Sequence, residues 1–140
     1  YAQWLLGPLT EEHATLRSSK ELALDVEDIS DIILRSDTNV ITYIHLDFVQ
    51  RSVQRCCSFI GSKGRIDWDL IQNRIIFYGA SGSEIIYSDP EWDKNKMYLG
   101  MIEDFAEMIK GHPHQCVQLE DAARTVELID LIKINRYGLM

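Results

Sequence analysis

The sequence predicts an α+β fold in which a mostly antiparallel, open β-sheet carries helices packed on one face. Between residues 13 and 87, apolar and polar residues mainly alternate with the two-residue period of a half-buried strand. The connections between these runs are short and contain glycine, asparagine or aspartate, which is typical of antiparallel hairpins. After residue 95 the apolar residues recur with the period of an α-helix instead.

The first residues, YAQWLLGP, have the pattern of the end of a helix. Tyr1, Trp4 and Leu5 share a helix face, Gly7 suits a terminal residue with positive φ, and Pro8 cannot continue the helix. The segment has a stop signal but no start signal, and so short a helix would be marginal alone. We therefore expect the chain to be a fragment of a longer protein, cut within a helix.

Seven strand-forming runs follow, and residues 36–39 (SDTN) supply turn chemistry between the second and the third. The segment Gly61-Ser62-Lys63-Gly64 could be a phosphate-binding loop or a hairpin turn. A phosphate-binding loop offers its N–H groups at the start of a helix, whereas the following run RIDWDL alternates like a strand. A hairpin turn is therefore predicted. The runs are HATLRS, DISDIILRSD, VITYIHLDFVQR, RCCSFIG, RIDWDL, RIIFYG and EIIYS.

Two helices are predicted after the strands. The apolar stripe of the first is rich in methionine and ends before the GHP of residues 111–113. We expect this stripe to fill a core, and a pliable binding groove is the alternative. The stripe residues are Met97, Met101, Phe105, Met108 and Ile109 in the first helix and Ala122, Val126, Ile129 and Ile132 in the second.

Length and composition indicate a single domain over residues 1–140, with 46% apolar and 26% charged residues. The net charge of −8 disfavours nucleic acid and anionic membrane surfaces as partners. The three cysteines, an odd number, fit a reducing compartment better than a disulfide framework, and neither a membrane-spanning run nor a signal peptide is evident. These features predict a cytoplasmic protein.

The run VITYIHLDFVQR has two unlike faces, because alternate side chains of a strand point to opposite sides. The face of Val40, Thr42, Ile44, Leu46 and Phe48 is nearly all apolar and should lie under the helices. The opposite face mixes aromatic, ionisable and aliphatic groups, which favours contact with another subunit or a ligand. The candidates for the subunit interface are Ile41, Tyr43, His45, Asp47 and Val49, and Arg51 follows them on this face.

Four residues near this face could carry chemistry. His45 and Asp47 are two residues apart, so the pair could act as a general base. We favour a hydrogen-bonded pair at a sheet surface instead. Arg51 and Arg55 are candidates for binding the carboxylate or phosphate of a substrate, although pairing with acidic side chains is the alternative.

The segment GHPHQC offers three potential zinc donors, His112, His114 and Cys116. Their spacing differs from that of structural zinc sites, and no second cluster completes four ligands, so we predict a plain loop between two helices. No Walker loop, G-x-S-x-G or H-E-x-x-H motif occurs. We therefore assign no catalytic, cofactor-binding or metal-binding residue from the sequence.

The order of these elements resembles the C-terminal domain of the Gfo/Idh/MocA oxidoreductases. The segments that carry the resemblance are WLLG, DVEDISDIILRSDTNVITYIHLDFVQRSVQR, IGSKGRIDWD, MIEDFAEMIKGHP and LEDAARTVELIDLI, and they span nearly the whole chain. Within them, DFVQR is similar to the form in members linked to surface-polysaccharide and nucleotide-sugar synthesis. The resemblance implies a dihydrodipicolinate-reductase-like or glyceraldehyde-3-phosphate-dehydrogenase-like C-terminal domain.

For function, the resemblance implies a two-domain parent that is an NAD(P)-dependent oxidoreductase. Such a parent transfers a hydride at a hydroxyl-bearing carbon of a sugar, cyclitol or nucleotide sugar. Its N-terminal Rossmann domain holds the cofactor with G-x-G-x-x-G and supplies the lysine of an E-K-P motif, and a D-x-x-x-H segment acts near the substrate hydroxyl. None of these three motifs occurs in this chain.

The fragment would therefore bind no cofactor and be inactive alone. By the same resemblance it supplies walls of the substrate pocket, contacts its own Rossmann domain and forms a homo-oligomer, a dimer or tetramer, through the open sheet face. Two alternatives remain. The absence of catalytic motifs fits a dimerisation or scaffold module without chemistry, and the mixed sheet face fits a stand-alone ligand-binding module.

Overall fold

The computed structural model describes residues 1–138, which form two compact units. The first unit contains Tyr1–Gln50 and the chain from Val117 onward, and the second is Arg51–Cys116. The prediction of one domain over residues 1–140 stays a prediction. The elements in chain order are α1 (Ala2–Leu6), β1 (Leu9–Arg17), β2 (Ile29–Ser36), β3 (Ile41–Asp47), β4 (Cys56–Gly61), β5 (Gly64–Asp69), β6 (Arg74–Gly79), β7 (Gly82–Ser88), α2 (Asn95–Ile109) and α3 (Leu119–Tyr137).

The predicted α+β class and the antiparallel pairing of the strands are confirmed. The strands form two sheets, however, one in the order β1-β2-β3 and one in the order β4-β5-β6-β7. The long run VITYIHLDFVQR is a strand only as far as Asp47. The carboxylate of Asp47 accepts the backbone N–H groups of Val49 and Gln50, at 3.1 and 2.9 Å, and this turn ends the strand. Val49 and Arg51 therefore do not lie on β3, contrary to prediction.

The core of the first unit lies between α3 and the three-stranded sheet. Ile132 of α3 packs with Ala14 of β1 and Leu34 of β2, and Ile44 of β3 lies at the edge of this cluster. The predicted core side of β3 is thus confirmed at Ile44. Val40, Leu46 and Phe48, assigned to the same face, are exposed. The reason is that α3 packs mainly on β1, two strands away from β3.

Polar contacts fix α3 to the sheet. Arg136 donates to one carboxylate oxygen of Glu11 at 2.7 Å, and Asn135 donates to the other at 2.8 Å. Lys133 forms an ion pair with Glu27 at 2.7 Å, which lowers the pKa of Glu27 and raises that of Lys133. Gly138 ends the helix with a φ of 64°, in the left-handed conformation that glycine adopts without strain.

The second unit is built on a meander of four strands. Gly61 and Gly64 are opposite each other in the register of β4 and β5, so the segment between them is the predicted hairpin turn and not a phosphate-binding loop. Gly64 has a φ of 148°, and a Cβ atom there would lie 2.3 Å from the backbone oxygen of Tyr78. Glycine is therefore required at residue 64 by both its conformation and its neighbour.

Helix α2 has the predicted apolar stripe, but no residue of α2 is buried. Met101 and Phe105, for example, are 62% and 52% exposed. The expectation that the stripe fills a core is therefore not met in this structure. Cys56 is exposed, and Cys57 and Cys116 are half-buried. Within residues 1–138, no helix has the length and apolar character needed to cross a bilayer.

We predict that Gly64→Ala destabilises the protein by about 1–3 kcal/mol, because a strained backbone conformation and a close contact arise together. The matched control is Gly61→Ala, at the other end of the same turn. A Cβ at Gly61 would meet nothing within 4 Å, and its backbone has no positive φ. Urea unfolding of the two variants should give clearly different midpoints. Equal midpoints would contradict this account of the turn.

Candidate functional site

The outward face of the first sheet carries a hydrogen-bonded group that we call the histidine network: Asp31 of β2 with Tyr43, His45 and Asp47 of β3. The antiparallel register places Asp31 directly opposite His45. Residues 43, 45 and 47 share this face because side chains alternate along a strand. The network therefore spans two strands, and the sheet positions all four side chains.

His45 lies between two carboxylates. Its Nδ1 is 2.6 Å from Oδ1 of Asp31, and its Nε2 is 3.0 Å from Oδ2 of Asp47. The hydroxyl of Tyr43 donates to the same Oδ1 of Asp31 at 2.7 Å, and Arg17 lies 3.7 Å from the other oxygen. Because ionised carboxylates only accept hydrogen bonds, this geometry favours the form of His45 that carries a proton on each ring nitrogen.

The pKa values in the network follow from these contacts. The hydrogen bond to Asp31, followed by the one to Asp47, raises the pKa of His45 above its ordinary value. Bonds from Tyr43 and His45 lower the pKa of Asp31, and bonds from Gln50, His45 and Val49 lower that of Asp47. In its protonated form, with both nitrogens engaged by carboxylates, His45 has no lone pair with which to take a proton. The geometry thus favours a hydrogen-bonded pair over a general base.

Asp31 is the member of the network that the sequence did not indicate. It lies 14 residues before His45, and only the strand register brings the two together. Tyr43 and His45 are exposed and Asp47 is half-buried on the predicted interface face, where Ile41 is also exposed. Val49 lies beyond the end of β3 and is half-buried.

The two arginines proposed to bind substrate lie in the segment between β3 and β4. Arg51 and Arg55 are both exposed, and neither belongs to a strand. The backbone oxygen of Arg55 accepts the N–H of Leu70 at 2.9 Å, which anchors the end of the segment to the second sheet. The structure therefore places both guanidinium groups on an irregular surface segment, where a charged ligand has access.

A shallow depression of about 250 Å³ on the second sheet was not indicated by the sequence. Ser58 of β4 donates to Asp67 of β5 at 2.7 Å, and Arg65 pairs with Asp67 at 3.0 Å while its guanidinium lies 4.5 Å from the ring centre of Tyr78. Nε of Arg74 is buried without a hydrogen-bond partner within residues 1–138. The lining of the depression thus includes two carboxylates, an arginine and aromatic rings.

The GHPHQC segment divides into two parts. His112 turns towards α2, where its Nδ1 lies 2.6 Å from Glu107. His114 and Cys116 lie instead beside Asp104, which is one turn before Glu107 on α2. The sequence grouped the three donors of the segment together, whereas the fold separates His112 from the other two and adds a carboxylate to them.

No family model and no curated protein matches the chain. Several solved structures share its fold. UDP-N-acetylglucosamine 3-dehydrogenase GnnA from Acidithiobacillus ferrooxidans matches 94% of this chain with a TM-score of 0.74 and 13% identity. A mutant of KijD10, a 3-ketoreductase from Actinomadura kijaniata in complex with TDP-benzene and NADP, matches 96% with a TM-score of 0.73 and 18% identity.

An oxidoreductase from Agrobacterium radiobacter, in complex with NAD+, L-tartaric acid and magnesium, matches 92% of the chain with a TM-score of 0.69 and 14% identity. Each comparison covers almost all of this chain. The chain spans only 40% of the length of GnnA, 43% of that of KijD10 and 41% of that of the Agrobacterium oxidoreductase. At identities this low, the comparisons show that the fold is shared. They confirm the predicted α+β class.

We predict that the ring of His45 titrates with a pKa above the ordinary 6.5, and that Asp31→Asn lowers this pKa because it removes the strongest partner. The raised pKa contributes stability that is present below about pH 6.5 and is lost as the pH rises through the value in the folded state. NMR titration of the ring proton measures the pKa. Asp37→Asn, in the exposed turn before β3, removes the same charge and should leave it unchanged.

Proposed function

We propose that this chain is the substrate and oligomerisation domain of an NAD(P)-dependent oxidoreductase that acts on a hydroxyl of a sugar, cyclitol or nucleotide sugar. The observation that carries the proposal is the shared fold. Between 92% and 96% of the chain superposes on oxidoreductases, and GnnA and KijD10 are described as a nucleotide-sugar dehydrogenase and a ketoreductase. In such a parent the chain corresponds to the C-terminal domain of the Gfo/Idh/MocA proteins.

The residues of this chain do not fit a nicotinamide dinucleotide. Pyrophosphate sites use a glycine-rich turn from a strand into a helix. Within residues 1–138, the strand that leads directly into a helix is β7, and the connection from Asp89 to Lys94 contains no glycine. Gly61 and Gly64 belong to a hairpin between two strands. The cofactor and the hydride transfer are therefore assigned to an N-terminal Rossmann domain of the parent, and no catalytic residue is assigned to this chain.

Exposed apolar side chains support contacts of this chain with other domains or subunits. Trp4 of α1 is 76% exposed, and Val126, Ile129 and Leu131 of α3 are each about half exposed. Large exposed apolar surfaces are typical of contacts with other domains or subunits. We propose that they are covered by the Rossmann domain and by other copies of the chain.

For the subunit contact we propose the outward face of the first sheet, with Ile41, Tyr43, His45 and Asp47, together with Val49. Ile41 and Tyr43 are 52% and 64% exposed and provide apolar area. The charges of His45 and Asp47 are paired within the histidine network. A face whose charges already have partners is less costly to remove from water than one with unpaired charges.

We predict that Tyr43→Glu dissociates the homo-oligomer, because it places a carboxylate beside Asp31 in a contact that excludes water. Light scattering should report the mass of the protomer for the variant and a multiple of it for the original chain. The control is Lys63→Glu at the exposed tip of the β4–β5 turn, which also introduces a carboxylate and in addition removes one cation. An unchanged mass for Tyr43→Glu would refute the assignment of this face.

The enzymatic proposal is tested on the full-length product of the gene. We expect it to reduce NAD+ or NADP+ in the presence of at least one nucleotide sugar, sugar or cyclitol, as followed by the absorbance of the reduced cofactor. Arg51→Ala and Arg55→Ala should raise the KM of a phosphate-bearing substrate about 10-fold or more, as expected for the loss of a charged hydrogen bond.

Lys63→Ala, which removes a cation from the hairpin tip, is the control and should leave KM unchanged. If no nicotinamide is bound or reduced with any member of the panel, the oxidoreductase proposal fails. A purely structural scaffold then accounts better for the absence of catalytic motifs in this chain. Turnover with an unchanged KM in both arginine variants would retain the activity but remove Arg51 and Arg55 from the substrate site.

A further inference from the structure

We propose that Asp104, His114 and Cys116 form a binding site for one divalent transition-metal ion, and that zinc fits it best. The three residues offer a carboxylate oxygen, an imidazole nitrogen and a thiol sulfur, and these atoms all lie within 4.8 Å of one another. A tetrahedral zinc ion with bonds of about 2.0–2.3 Å holds its ligands roughly 3.5 Å apart. The ligand atoms lie within 4.8 Å of one another without an ion, so the three side chains draw closer together when the ion binds.

The chemistry of this ligand set selects among metals. A thiolate and an imidazole favour zinc, cobalt or another borderline-soft ion over magnesium or calcium, which prefer sites made of oxygen atoms alone. Three protein ligands also leave one tetrahedral position open for water or an added ligand. The proposed site therefore has the coordination of an open zinc site and differs from a closed structural one.

The backbone holds the ligands together without metal. The N–H of Gln115 is 2.8 Å from both carboxylate oxygens of Asp104, which ties the loop after α2 back onto that helix. The N–H of Cys116 donates to Nδ1 of His114 at 3.2 Å. All three proposed ligands are half-buried. An arriving ion thus meets a preformed group of donors and does not have to order a free loop.

Metal binding has a defined proton balance. To bind the ion as a thiolate, Cys116 must lose its thiol proton. A bond from sulfur to the ion forms as the S–H bond breaks, and the proton passes to solvent. Nδ1 of His114 accepts a hydrogen bond and so carries a lone pair. Coordination through Nδ1 replaces the bond from Cys116 N–H and leaves the ring proton on Nε2.

This site is separate from the role in an oxidoreductase proposed above and does not depend on it. It also departs from the expectation that the GHPHQC segment is a plain loop. The spacing of His112, His114 and Cys116 gave no zinc pattern because the third ligand is Asp104, on the preceding helix, while His112 pairs with Glu107.

The test is titration of the intact chain, with its thiols reduced, with Co²⁺ and then Zn²⁺. We expect one equivalent of Co²⁺ to bind, a thiolate-to-cobalt charge-transfer band to appear, and Zn²⁺ to displace it. Cys116→Ser should abolish the band. His114→Gln and Asp104→Asn should each weaken binding by at least about 10-fold, since loss of even an outer-shell partner has that effect in known sites.

Matched controls are available in the same unit. Cys56→Ser removes an exposed thiol, and His112→Gln removes the neighbouring histidine that faces Glu107. Both should bind Co²⁺ with the affinity and spectrum of the original chain. A band that persists in Cys116→Ser, or a loss of binding in His112→Gln equal to that in His114→Gln, would overturn the assignment of ligands.

A second measurement needs no substitution and is therefore independent of whether the variants fold. Alkylation of the original chain, mapped residue by residue with mass spectrometry, should be slowed by Zn²⁺ at Cys116 and unaffected at Cys56. Equal alkylation of Cys116 with and without Zn²⁺, or the absence of any metal binding in the titration, would refute the proposal.

Discussion

The first unit depends on the contact between its last helix, α3, and its first strand, β1. Ile132 of α3 is 3% exposed and packs in one cluster with Ala14 of β1, which is 1% exposed. Three strands with one uncovered apolar face would be unstable in water. The ion pair of Arg136 with Glu11 fixes the position of the helix along β1. Because α3 covers one face, the face with His45 is left outward.

In the histidine network on this outward face, one histidine ring contacts two carboxylates. The ring of His45 bridges two carboxylates, Asp31 and Asp47, and the hydroxyl of Tyr43 donates to Asp31. The group is held by strand geometry and needs no flexible side chain to be ordered on binding, which lowers the entropy cost of an interface. A catalytic histidine requires a nitrogen that can gain or lose a proton towards a substrate. The bonds to Asp31 and Asp47 engage both nitrogens of His45, which favours a hydrogen-bonded pair over a general base.

The sequence predicted the features that depend on local chemistry. The two-residue period located the strands, the glycines of residues 61–64 identified a hairpin, and the helical period located α2 and α3. It failed where a distant residue decides the outcome. Asp31 lies opposite His45 because of the strand register. Asp104 lies beside His114 because the loop after α2 folds back onto that helix. The length of β3 was overestimated because Asp47 binds two backbone N–H groups that alternation alone cannot reveal.

The shared fold supports the architecture of this chain but does not by itself establish an activity. One fold hosts many activities, so identities of 13–18% leave chemistry to be argued from residues. Within residues 1–138, Gly61 and Gly64 belong to a hairpin and the connection into α2 has no glycine, while Arg51 and Arg55 are exposed cations. The Asp104 cluster uses none of these groups. The proposal of an oxidoreductase parent and the proposal of a metal ion at Asp104 are thus independent, and failure of one leaves the physical argument for the other intact.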